Sequence, residues 1–242
     1  MTTIEENFQK IHVRIRRACA SAHRDPHSVR LLAVSKTFPA PAVAEAIAAG
    51  QSAFGENYVQ EGIAKIAAVA ALTTASSRPE TAVEWHCIGP LQTNKTRLVA
   101  THFDWVQSID RLKIAQRLSE QRPAHAAPLQ VCIQVNVDGG ANKSGVSPAE
   151  LPALAQAVAA LPRLRLRGLM CIPEPQADFA LACGVFKEAQ SLFHALNQQQ
   201  GLALDTLSMG MSEDLEAAIA GGSTLIRIGR AVFGDRALKT AG

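Results

Sequence analysis

The sequence is short of aromatic residues, of paired cysteines and of long apolar runs, and each shortage removes a class of protein. Aromatics make up 5% of the 242 residues, with one tyrosine, Tyr58. A nucleic-acid surface built from a basic stripe with interleaved stacking rings is therefore not expected, although TNKTR (93–97) is a short basic stretch. The 5 cysteines are odd in number and none form a CxxC pair, so they read as reduced, buried thiols of a cytoplasmic protein. No HExxH occurs among the 7 histidines, and no metal site is expected. No apolar run approaches the roughly 20 residues that span a bilayer. The opening MTTIEENFQK carries early acids and no apolar core, unlike a signal peptide. A cytoplasmic location with no membrane partner follows as the expectation.

What is present is a globular composition. Hydrophobic residues are 48% and charged residues 19%, and a net charge of +3 suits an anionic ligand without requiring a polyanion. An apolar stripe of Ile4, Phe8, Ile11, Ile15 and Ala18 predicts an opening helix. After it, short apolar runs alternate with helical segments: LLAVS (31–35), SAFGEN (52–57), VEWHCIG (83–89), WVQSI (105–109), LQVCIQVN (129–136), LRLRGLMCI (164–172), DTLSMG (205–210) and TLIRIG (224–229). The runs are apolar more than alternating, as in strands covered on both faces. Eight such units in a chain of this length predict an α/β fold, a single (β/α)8 TIM barrel over residues 1–242 with an extra N-terminal helix. An open doubly wound sheet would call for GxGxxG after its first strand, where this chain has SKTFP. Asp110 and Ser147 read as helix caps, and AALTTASSRPE (70–80) as a surface loop.

A barrel of this kind carries its site at the C-terminal strand ends. Lys36 follows the first run, where a walled pocket and a nearby cation would favour the neutral amine that attacks carbonyls. The seventh and eighth runs end in SMGMS and RIG, where Gly210 and Gly229 would let backbone N–H groups approach a phosphate. Arg227 lies inside the apolar LIRIG and needs a strong acceptor there. A Schiff-base lysine, a phosphate cradle and a strand arginine together describe a site for pyridoxal 5′-phosphate.

With these residues in hand, the chain resembles the pyridoxal phosphate homeostasis family, which is alanine racemase N-terminal-like. The matching stretches are AVSKT (33–37), FGENYVQE (54–61), WHCIGPLQTNK (85–95), SID (108–110), QVNVDGGANKSG (134–145), GLMCIP (168–173), LSMGMSEDLEAAI (207–219) and RIGRAVFG (227–234). The resemblance implies pyridoxal 5′-phosphate on Lys36, Asn57 beside it, and phosphate contacts at Ser208, Gly210 and Gly229. It also implies that Arg227 faces the pyridine nitrogen. The family commonly has threonine where this chain has Arg230, so a guanidinium stands where a hydroxyl donor is usual. Its side chain would bind phosphate or point away, leaving the backbone N–H in either case.

The resemblance implies a carrier that buffers the cofactor and delivers it to apo-forms of dependent enzymes, with a monomer expected rather than a dimer and no catalytic residue assigned. The alternative is a racemase or decarboxylase. A two-base racemase of this architecture sets a tyrosine from a second domain against the lysine. This chain has only Tyr58, next to the GEN stretch.

Overall fold

Eight short, mostly buried runs form eight strands: β1 Arg30–Val34, β2 Ala53–Glu56, β3 Glu84–Cys87, β4 Trp105–Ile109, β5 Leu129–Gln134, β6 Leu164–Met170, β7 Thr206–Ser208 and β8 Leu225–Ile228. All are parallel and pair in chain order, and the barrel closes where β8 lies against β1, Leu225 opposite Arg30 and Ile228 opposite Ala33. The computed structural model describes residues 3–74, 83–140 and 144–234. Within these, α1 Ile4–Ser21 precedes the barrel, and the crossovers carry α2 Ala40–Ala48, α3 Val59–Thr74, α4 Thr96–His102, α5 Leu112–Gln121, α6 Leu151–Ala159, α7 Phe179–Gln200 and α8 Leu215–Ala220; α9 Arg230–Phe233 follows β8.

Alternation along the strands divides the core in two. Leu31 and Ala33 join the large apolar cluster shared with the helices, whereas Leu32 packs with Ala53 and Leu225 in a separate cluster. Successive strand side chains point to opposite faces, so this second group lies within the barrel. Trp105, Cys132 and Met170 form another interior group. Polar residues on the same strands, described below, fill the space between them.

Three local expectations are corrected. Residues 70–74 continue α3 instead of starting a loop, and 75–80 lie outside the described residues. Asp110 does not cap α5; the N-cap position is Arg111, and Asp110 pairs with the Arg111 guanidinium at 2.7 Å. Ser147 does not cap α6 directly. It exchanges bonds with Glu150 around the turn just before that helix, accepting from the Glu150 N–H at 3.3 Å.

The opening helix is built into the barrel wall. Thr3 and Glu6 form a reciprocal capping box at its start. Phe8, Ile11, Ile15 and Ala18 are buried. On its outer side Arg14 grips Glu216 with two N–H groups, at 2.5 and 2.6 Å, and donates to the Ser212 carbonyl at 2.6 Å. α1 thereby holds the segment between β7 and α8. Removing the Ile11 side chain should cost about 2–5 kcal/mol through lost burial and a residual cavity. Urea unfolding of Ile11→Ala checks this: the midpoint should fall with the slope unchanged. A loss under about 0.5 kcal/mol would mean that α1 is a loosely attached appendage.

Candidate functional site

The C-terminal strand ends bring the candidate residues together on β7, β8, β1 and β2. Lys36 is half-buried in the turn after β1. On one flank stands Gly229, where a Cβ would lie 3.3 Å from the Val34 carbonyl oxygen. Further along, the Arg227 N–H donates to the Gly210 carbonyl at 3.0 Å. Gly210 has φ +93°, and a Cβ there would strike the Ala218 side chain of α8. Only glycine meets both conditions without strain. On the other flank the Ser35 N–H donates to the Gly55 carbonyl at 3.0 Å, leading to Glu56 and Asn57. Asn57 is half-buried, and Gly89 packs so closely on its backbone that a side chain there would collide with the Asn57 carbonyl.

The turn bearing Lys36 is strained and braced. Thr37 has φ +68°, a conformation that a β-branched residue rarely adopts. Its N–H donates to Glu61 Oε1 at 2.5 Å. Lys65 Nζ, 6% exposed, donates to the Ser35 carbonyl at 2.7 Å, to Glu56 Oε1 at 2.6 Å and to Glu61 Oε1 at 3.0 Å. All three ammonium protons are therefore used. Ser35 Oγ adds a bond to Glu56 Oε1 at 2.6 Å. Burial pushes the Glu56 carboxyl up from its ordinary range, and the bond from Lys65 opposes that rise. Residues on both sides of Lys36 are thus tied to one buried cluster from β2 and α3.

A second polar chain runs through the barrel interior. Arg227 Nη1 donates to Ser208 Oγ at 2.9 Å, and Nη2 to the Cys171 carbonyl at 2.9 Å. Ser208 Oγ donates to Gln107 Oε1 at 2.6 Å, and Gln107 Nε2 lies 3.0 Å from His86 Nδ1. His86 is a fully buried, hydrogen-bonded core residue, stacked on Trp105. Among the described residues no carboxylate lies within ion-pair distance of Arg227, and burial pushes its pKa down. Arg230 is exposed, with its guanidinium 3.8 Å from Glu213. The Cys171 thiol is buried and pushed up to about 12, which leaves it protonated and unreactive near neutrality.

Sequence reasoning placed the site residues at one end of the barrel but passed over Lys65, Glu61 and Gln107. Signals for them existed. Glu61 and Lys65 are an i,i+4 pair on the helix that opens after GEN. Gln107 is the polar interruption in the otherwise apolar WVQSI.

The family described as alanine racemase, N-terminal domain, matches residues 7–237. The chain is 58% identical over 236 residues to the pyridoxal phosphate homeostasis protein of Pseudomonas aeruginosa, covering 98% of this chain and 97% of that protein. Among solved structures, PipY of Synechococcus elongatus with pyridoxal phosphate bound is 40% identical, with a TM-score of 0.77, covering 91% of this chain and 100% of the other. Alanine racemase from Corynebacterium glutamicum shares the fold, at 17% identity and a TM-score of 0.64, over 99% of this chain and 62% of the racemase.

Replacing Lys65 by methionine leaves Glu56 buried beside no cation. Breaking a buried pair in this way should cost about 3–5 kcal/mol near neutrality. The pH dependence has a definite sign. Without Lys65 the native state holds the Glu56 proton more tightly than the unfolded chain does, so stability falls as pH rises above the ordinary carboxylate range. Urea unfolding should therefore show the largest deficit of Lys65→Met at about pH 7 and a smaller one near pH 4, with Glu56→Gln restoring part of it. A deficit equal at every pH would contradict the account.

Proposed function

Because the chain belongs to the family of pyridoxal phosphate homeostasis proteins, and its residues 7–237 to the alanine racemase N-terminal domain family, we propose that it holds pyridoxal 5′-phosphate at the C-terminal mouth of its barrel and releases it to apo-enzymes, with no turnover of its own. The observation that carries this reading is Arg227. A guanidinium buried to 4% exposure, held by two neutral oxygens and no carboxylate among the described residues, needs a further acceptor. It lies on β8 between the strand ends that carry Gly210 and Gly229, where close packing on Ala218 and Val34 requires glycine. One strand away is the braced turn of Lys36. These residues fit the cofactor.

When bound, the cofactor supplies an aldehyde that a lysine amine can hold covalently and a pyridine ring that can withdraw electrons. Lys36 would hold the aldehyde carbon. The backbone around Gly210 and Gly229 would approach the phosphate, with the exposed Arg230 contributing its N–H rather than its guanidinium. By its likeness to the family's arginine, Arg227 would face the ring nitrogen. A guanidinium donates an N–H and keeps its proton, so the ring nitrogen beside it stays unprotonated and the ring withdraws electrons weakly. That disfavours general carbanion chemistry. The one tyrosine, Tyr58, is 60% exposed, which does not suit a preorganised second base.

The test is to incubate the protein with pyridoxal 5′-phosphate, reduce with borohydride, desalt and map the label by mass spectrometry. One label per chain, on Lys36, is expected. A wild-type label on another lysine would overturn the assignment. Transfer to an apo-enzyme faster than capture by a free-aldehyde scavenger supports delivery. Turnover of any common amino acid on the order of 1 s⁻¹ or faster, the ordinary enzyme range, would make this an enzyme instead.

A further inference from the structure

In the arrangement the structure shows, the buried chain behind Arg227 runs in one direction. A guanidinium is a donor with no acceptor. Ser208 Oγ therefore accepts from Arg227 Nη1, and its single proton goes to the other neighbour, Gln107 Oε1, at 2.6 Å. The other end of the same amide, Nε2, faces His86 Nδ1 at 3.0 Å. His86 Nδ1 then accepts, and the neutral ring carries its proton on Nε2, on the side of the Glu84 carboxylate 3.6 Å away. Burial keeps the imidazole in that neutral form. Glu84 is itself held by Arg30 at 2.7 Å. Arg227 is 4% exposed and Ser208, Gln107 and His86 are each 0% exposed, so no bulk water competes for these bonds.

Two consequences follow for the site. In this arrangement the Ser208 hydroxyl hydrogen is directed at Gln107 and not at a phosphate. And Arg227, clamped at Nη1 by Ser208 and at Nη2 by the Cys171 carbonyl, has its guanidinium plane fixed by acceptors on β7 and the end of β6. We propose that Gln107 is a positioning residue that acts through Ser208 on Arg227, setting the direction in which Arg227 offers its remaining N–H groups to the cofactor ring, and that Ser208 serves this purpose and not the phosphate. The inference rests on the cofactor reading given above.

The proposal predicts which ligand features sense the chain. Gln107→Met keeps the approximate volume and removes the acceptor. Ser208 then turns its proton elsewhere and the Arg227 clamp loosens. Affinity should fall about tenfold, the loss of one hydrogen bond to a charged group. The fall should be the same for pyridoxal 5′-phosphate and for phosphate-free pyridoxal, because the ring contact is affected and the phosphate contact is not. The visible band of the bound cofactor, and the pH at which it changes, should shift. Gln107→Glu keeps an acceptor for Ser208 and should stay within about threefold of wild type for both ligands.

Equilibrium titration of the three proteins with both ligands, recording the spectrum and the thermal midpoint of each apo-protein, decides the matter. An unchanged affinity and band in Gln107→Met, or a loss confined to the phosphorylated ligand, overturns the proposal. A lowered thermal midpoint with the wild-type band also overturns it, since a purely structural residue would give that result. Should Gln107→Met fail to fold, Ser208→Ala cuts the same link and must show the equal loss for both ligands. Wild-type protein that retains neither ligand would overturn the cofactor reading itself; wild type that retains them while Gln107→Met behaves identically overturns only the role of Gln107.

Discussion

The Lys65 ammonium is the point on which the candidate site depends. It bonds the Ser35 carbonyl and both Glu56 and Glu61, and so joins the end of β1, the end of β2 and the first turns of α3. Thr37 adopts its uncommon backbone within reach of the same cluster, with its N–H on Glu61. A turn with a β-branched residue at positive φ persists only where its surroundings over-determine it. Here the surroundings are a buried charge network that would be costly to leave half-made. Two lysines therefore share one small region with different duties. Lys65 is saturated by acceptors and immobile, and it fixes the backbone from which Lys36 projects.

The barrel interior shows a similar division. Apolar groups around Leu32 and Trp105 fill part of it, and the polar chain from Arg227 to His86 fills the rest. Burying four polar side chains is tolerable because each bond has a donor and an acceptor in sequence. An apolar interior of equal volume would be as stable or more so. What the polar chain supplies is direction: the orientation of the Arg227 guanidinium is set by Ser208 and the Cys171 carbonyl.

The outer layer holds the other side of the site. α1 clamps the segment after β7 through Arg14. The Asn7 side chain donates to the Val232 carbonyl of α9 at 2.9 Å. Phe38, two residues after Lys36, stacks on Phe233 of α9 with ring centroids 4.9 Å apart. The loops after β7 and β8 and the turn after β1 are thus fastened to each other from outside as well as from within. The extra helix is therefore part of the site's scaffold.

Much of this was legible in the residues. The apolar runs located eight strands to within two residues at their ends, because a parallel strand covered on both faces has a composition that little else shares. LIRIG announced a buried arginine, since a charge inside such a run must face the interior and find a partner there. GEN, SMG and RIG marked the strand ends, where glycine permits close backbone approach. Tertiary structure alone decided which partner each polar group meets. Ser208 sits in SMGMS, yet its hydroxyl meets Gln107, 101 residues away in sequence. Lys65 looks like a solvated helix residue, yet it is buried against the Ser35 carbonyl just after β1. Arg230 follows RIG at the end of β8, yet its side chain turns to Glu213. Local composition determines where a chain is buried and how it is paired along its backbone. The direction of a hydroxyl proton or a guanidinium depends on groups brought in from distant segments, and only closure of the barrel brings them there.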